Sequence, residues 1–188
     1  MKTMNKAVKS ILGYALVGGI ALAARAQESA TATLTPLSGS GPYTYALTLT
    51  DDGTTPIGSV WYAWTPGFNY LPSVPSSATP ETSGWTTTII GSPGAASIQF
   101  VGGTAHAIQP GQSATFDFTT ADSPATLAGD SGATPIGTSV AYSGGLFSDA
   151  GHTFVVTSTP EPSSYALLAG TAGGWFVWRR RRLAFQAR

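Results

Sequence analysis

The chain has 188 residues, no cysteine and only 10% charged residues, which excludes a disulfide framework, a thiolate nucleophile and a Cys-built metal centre. Its formal net charge of +0 hides a segregation: Lys2, Lys6, Lys9 and Arg25 stand in front, Arg179, Arg180, Arg181, Arg182 and Arg188 behind, and residues 27–178 hold every acid but no Lys or Arg. Nothing in that stretch can neutralise a phosphate backbone, so nucleic acid is excluded as a partner, and a P-loop, a Schiff-base lysine and an arginine finger are excluded with it.

At the amino end the three lysines precede an uncharged apolar run over 11–24, and Ala24-Arg25-Ala26 leads into Gln27. Positive n-region, apolar h-region and small residues at the cleavage positions are the order of a secretory signal peptide. A signal helix over 1–26 is therefore expected, carried by the Sec translocon and cut by signal peptidase between Ala26 and Gln27. The run falls short of the ~20 residues that a spanning helix needs. One consequence is testable on the unfolded chain: trypsin should make no cut within 27–178, and a mass spectrum that shows such a cut would contradict the charge segregation.

From 27 to about 158 the apolar period is two. Tyr43, Tyr45, Leu47 and Leu49 alternate with Thr44, Ala46, Thr48 and Thr50, predicting a half-buried strand over 43–50 that ends in the Asp51-Asp52-Gly53 turn. The segment 57–64 is apolar on both faces and reads as a central strand with Trp61 and Trp64 on opposite sides. Further strands are expected over 30–34, 86–90, 97–101, 113–119, 139–142 and 153–156. Two long irregular segments, 65–84 and 121–135, interrupt them. The first carries exposed-looking Phe68, Tyr70 and Leu71, and with Trp64 the aromatic residues Phe68 and Tyr70 are candidate carbohydrate contacts, since flat rings stack on sugars. Pro110-Gly111 demands a turn, after which Ala114, Phe116 and Phe118 should point inward. Residues 108–118 resemble the turn and following strand of immunoglobulin-like bacterial surface modules. Eight short strands without helical spacing give an all-β class, an antiparallel immunoglobulin-like β-sandwich occupying 27–158.

Chemistry is harder to find in this body. Gly129-Asp130-Ser131-Gly132 resembles the nucleophile segment of trypsin-like proteases and Thr104-Ala105-His106-Ala107 its histidine segment. Only twenty-odd residues separate the two, whereas that family sets base and nucleophile on separate barrels. His106 and His152 are too few and isolated for catalytic zinc, and His106 alternates with strand residues. Asp51, Asp52, Asp122 and Asp130 lack the spacing of a calcium loop and read as solvated turn carboxylates. No cofactor, metal or catalytic residue is expected.

The carboxyl end is more specific. Thr159-Pro160-Glu161-Pro162 precedes an uncharged segment over 163–178, which Arg179-Arg180-Arg181-Arg182 closes. A proline segment cannot enter a helix interior, and the arginine block stays on the cytoplasmic side. Sixteen residues of helix span only about 24 Å of a ~30 Å hydrocarbon core, a short single transmembrane helix suited to temporary anchoring.

With Pro160, Glu161 and Pro162 matching one for one, residues 159–182 resemble the PEP-CTERM sorting signal of Gram-negative bacteria. The resemblance implies a sorting tail over 159–188, held transiently in the inner membrane with the body on the periplasmic side. An exosortase then removes the tail, and the body passes to the cell surface or an extracellular polysaccharide matrix. A non-enzymatic structural or adhesive protein associating with exopolysaccharide is expected. The alternatives are a small polysaccharide-active hydrolase and a permanently membrane-anchored periplasmic binding module.

Overall fold

The computed structural model of the protein describes residues 27–38 and 41–159. The signal segment 1–26 with Ala24 and Ala26, the motif residues Pro160, Glu161 and Pro162, the segment 163–178 and Arg179 to Arg182, for which the sequence carries expectations, lie outside the described residues. Within them the chain forms β1 (Ala30–Pro36), β2 (Tyr43–Asp51), β3 (Ser59–Tyr62), β4 (Trp64–Thr65), β5 (Phe68–Asn69), β6 (Ser77–Pro80), β7 (Thr86–Ser92) and β8 (Ala95–Val101). After these come β9 (Ser113–Thr120), α1 (Pro124–Leu127), β10 (Asp130–Ser131), β11 (Thr134–Pro135), β12 (Thr138–Tyr142), β13 (His152–Val155) and β14 (Thr157–Ser158). No helix among the described residues is long and apolar enough to cross a membrane.

One sheet runs β14-β1-β2-β9-β6 and the other β13-β12-β3-β8-β7, with β4-β5 and β10-β11 as separate hairpins. Pairing is antiparallel except for the short β1–β14 contact. Period-two alternation places Tyr45, Leu47 and Leu49 of β2 and Phe116 and Phe118 of β9 in the core, where they meet Val60, Tyr62, Ile98 and Phe100 of the other sheet. Rings from the two sheets touch, Phe100 with Phe116 at 4.4 Å and Tyr62 with Phe118 at 5.3 Å between centroids. On the other face of the first sheet, Thr44 meets Thr119 (3.1 Å) and Thr50 meets Ser113 (2.8 Å) directly across the β2–β9 register, a cross-strand hydroxyl ladder. The turn before β9 forms as its sequence demands: Gly111 has φ 78° and Gln112 N donates to Gln109 O at 2.9 Å.

Several expectations are corrected. Trp61 and Trp64 do not lie on opposite sides, because Ala63 sits at φ 55° between them and breaks the alternation; the two indoles stack at 3.7 Å with a 2° interplanar angle. Leu71, in a segment read as exposed, is wholly buried and pairs through its backbone with Ala96. His106 lies in a 3₁₀ turn over Thr104–His106 rather than alternating in a strand.

The two long irregular segments are tied to each other. The Asp122 carboxylate, buried rather than solvated, accepts hydrogen bonds from Ser73 N (3.1 Å), Ser73 Oγ (2.7 Å) and Thr120 Oγ1 (3.1 Å). Charge-assisted bonds of this kind fix one segment against the other. Asp51 is buried too, its Oδ1 accepting from Gly53 N at 2.8 Å. In the second segment Ser123 caps α1 by accepting from Thr126 N, with Pro124 at the first helical position.

Candidate functional site

The second sheet carries a small apolar cluster apart from the main core, formed by Trp61, Trp64, Val140 and Tyr142, with Ile90 and Leu146 packed against it. Trp61 is fixed by its indole: Nε1 donates to Ser97 Oγ (2.8 Å), and that hydroxyl donates to Asn69 Oδ1 (2.7 Å) in the β4-β5 hairpin. Phe147 stands edge-on to both indoles at 5.7 Å and 5.6 Å from Tyr142, yet is 62% exposed. Its backbone has φ 61°, at the third position of a turn closed by Ser148 N donating to Gly145 O. Glycine is the residue such a position favours, and the left-handed region costs a side chain roughly 1–2 kcal/mol. Ala63 and Phe147 are the two non-glycine residues with positive φ among the described residues, and both help to build this cluster.

The loop bearing Phe147 is anchored on Asp149. Its carboxylate accepts from Ser143 N (2.8 Å), Ser143 Oγ, Ser148 Oγ (3.1 Å) and Gly151 N (2.7 Å). Beside it an open recess of about 290 Å³ is lined by Gln27, Glu28, Asp149, Ala150, Gly151 and His152. Burial, then the hydrogen bond with Asp149 and that group's negative charge, push the Glu28 carboxyl from 4.5 up to about 7. Burial opposes ionisation of Asp149 as well, but the hydrogen bonds from Ser143, Gly151 and Glu28 outweigh it and hold that carboxyl at about 2. The body has no Lys or Arg, so neither acid has such a cation beside it to favour its ionised form.

A pH dependence follows. Glu28 binds its proton more tightly in the folded chain, so its stabilisation is complete below about 4.5 and is lost as the pH rises through about 7. Asp51 and Asp117, whose carboxyls burial pushes up, act with the same sign. Asp149 acts oppositely: its stabilisation is present above 3.8 and lost as the pH falls towards about 2. The thermal midpoint should peak near about pH 4–5 and decline by about pH 8, and Glu28→Gln should remove much of that decline. Equal slopes in wild type and Glu28→Gln by differential scanning calorimetry would contradict this.

The structure does not gather Trp64, Phe68 and Tyr70 into one surface. Trp64 is buried against Trp61, Tyr70 packs against the main core with its hydroxyl on Thr65 Oγ1 (2.6 Å), and Phe68 stands 65% exposed in the β4-β5 hairpin. Gln27 is exposed at the recess, its N–H donating to Thr54 Oγ1 (3.0 Å). Phe147 and the Glu28–Asp149 pair escaped the sequence reading because only the fold brings residue 28 to residue 149; the one local signal was a Phe within a Gly/Ser-rich turn. Ser131 lies in the β10-β11 hairpin, and the His106 backbone oxygen accepts from Trp85 Nε1 (2.9 Å). In a second acid pair, burial and then the nearby Glu81 carboxyl raise the Asp117 carboxyl above its usual range. Among the described residues no group of three or more His, Asp or Glu is arranged to hold a metal ion.

No curated protein and no solved structure matches the chain. The tail gives the one assignment: residues 158–182 match the PEP-CTERM protein-sorting motif, so the chain carries the signal for exosortase-dependent sorting of an exported protein.

Proposed function

We propose that the chain is a surface or matrix protein whose body, residues 27–158, is delivered by its tail and acts there without catalysis, as a structural or adhesive component. The observation that carries this reading is the sorting motif over residues 158–182. On it, signal peptidase cuts before Gln27, the segment 163–178 holds the chain in the inner membrane, and Arg179 to Arg182 keep the end cytoplasmic. Exosortase then releases the body to the cell surface or the extracellular polysaccharide matrix. The two mainly antiparallel sheets belong to this reading as an immunoglobulin-like sandwich, a shape that presents loops at its ends and tolerates an exposed outer face. Non-catalytic action is supported by Asp122 and Asp149, whose carboxylates hold loops by accepting hydrogen bonds from Ser73 and Ser143. Association with exopolysaccharide is supported by the exposed rings of Phe68 and Phe147.

The test is the partition of the protein in one bacterial host with and without its exosortase. The body should co-sediment with the extracellular matrix in the first strain and remain in the inner membrane in the second. Equal matrix association in both strains would overturn the proposal.

A further inference from the structure

The exposed ring of Phe147 stands two residues before Asp149, which with Glu28 lines the recess. Tyr142 joins them: its ring lies 5.6 Å from Phe147, and the Asp149 charge adds to the burial that makes its phenol harder to ionise. Ser143, the next residue, donates to Asp149. Gly151 closes the loop onto the same place, since a Cβ there would lie 2.7 Å from the Tyr142 ring and 2.6 Å from Val140. The loop is therefore a fixed platform, with an apolar ring at its tip and a carboxylate at its base.

Charge selects the occupant. Residues 27–159 carry eight acids and no Lys or Arg, so a polyanion such as a uronate or phosphate polymer meets only repulsion. An ammonium group meets attraction twice, from the carboxylate and from the aromatic face. The C–H face of a pyranose ring meets an exposed phenylalanine backed by two stacked indoles, a ring geometry held at the expense of an unfavourable backbone angle.

We propose that Phe147, supported by Trp61 and Trp64, together with the neighbouring Glu28–Asp149 pair, forms a binding site for a hexosamine unit with a free ammonium group within a polysaccharide. The sugar ring stacks on Phe147 and the ammonium lies at the recess that Glu28 and Asp149 line. His152 and Tyr142 are the other titratable groups at this place. The inference rests on the matrix-associated reading of the protein, but its test uses purified protein, so binding can fail while sorting stands, and the reverse.

The experiment is isothermal titration of the full-length protein, in detergent, with four hexamers: β-1,4-glucosamine, its fully N-acetylated form, cellohexaose and galacturonate. The glucosamine hexamer should bind at least tenfold more tightly than the N-acetylated and neutral hexamers, and galacturonate should not bind. Phe147→Asn removes the ring while keeping a residue that tolerates positive φ, and it should weaken glucosamine binding at least tenfold. Phe147→Leu, which keeps an apolar side chain without a flat face, should do the same. Glu28→Gln should weaken the glucosamine hexamer severalfold and leave the N-acetylated one unchanged, and Phe68→Ala should change neither. Equal affinity for the two glucosamine forms, or wild-type affinity in Phe147→Asn, would overturn the site. So would a self-associated wild type that Phe147→Asn dissociates with no hexamer bound, since the face would then serve a second copy of the chain.

Discussion

Replacing Phe116 with alanine should lower the unfolding free energy of residues 27–159 by about 3–5 kcal/mol, the range for removing a fully buried phenylalanine. Phe116 is wholly buried, stacked on Phe100 at 4.4 Å and edge-on to Trp85 at 5.0 Å, so its removal empties the space between the two sheets. In urea the midpoint should drop by roughly 1–5 M, since chains of this size lose on the order of 1–3 kcal/mol per M. Phe68→Ala, at an exposed ring in a hairpin, should change the unfolding free energy by less than about 0.5 kcal/mol. Near-equal losses at the two positions would remove Phe116 from the core.

That contrast also marks how far the sequence could be read. Strands such as β2 and β9 were legible because one face is buried and the other solvated, which forces strict alternation onto the residues themselves. The Pro110-Gly111 turn was legible because its two residue types fix the backbone locally. The strand β6 was not, since Ser77, Ala78, Thr79 and Pro80 have no strand pattern of their own and take their conformation from pairing with β9. The Trp61–Trp64 stack was misread for a similar reason. Alternation held as far as Tyr62, and nothing in an alanine at 63 announces a positive φ that turns the next side chain back over its neighbour. Glu28 and Asp149 stand more than a hundred residues apart, and only tertiary structure makes them a pair. The tail shows the opposite extreme: its sorting motif is a short linear signal carried by residue order alone, and it is legible without any fold.

The second large effect lies in that tail. On the proposed reading Arg179, Arg180, Arg181 and Arg182 stop the chain at the cytoplasmic face. Burying each arginine in hydrocarbon costs about 2.5–3.5 kcal/mol even on the mildest insertion scale, so four of them bar passage. Replacing all four with glutamine should therefore let the tail slip through the membrane, and unprocessed full-length protein should appear in the soluble periplasmic fraction. Retention and normal processing of that variant would show that the 163–178 segment anchors the chain unaided.

Glu161→Gln separates recognition from anchoring, since it leaves the apolar segment and the arginine block intact. The most direct measurement is the intact mass and location of wild type and Glu161→Gln in a host that has an exosortase. The wild-type protein should be found outside the inner membrane and should lack the residues beyond its sorting motif, Arg188 included, whereas Glu161→Gln should remain full length in the inner membrane. A wild-type protein that reaches the cell surface with Arg188 still attached would contradict sorting by this tail.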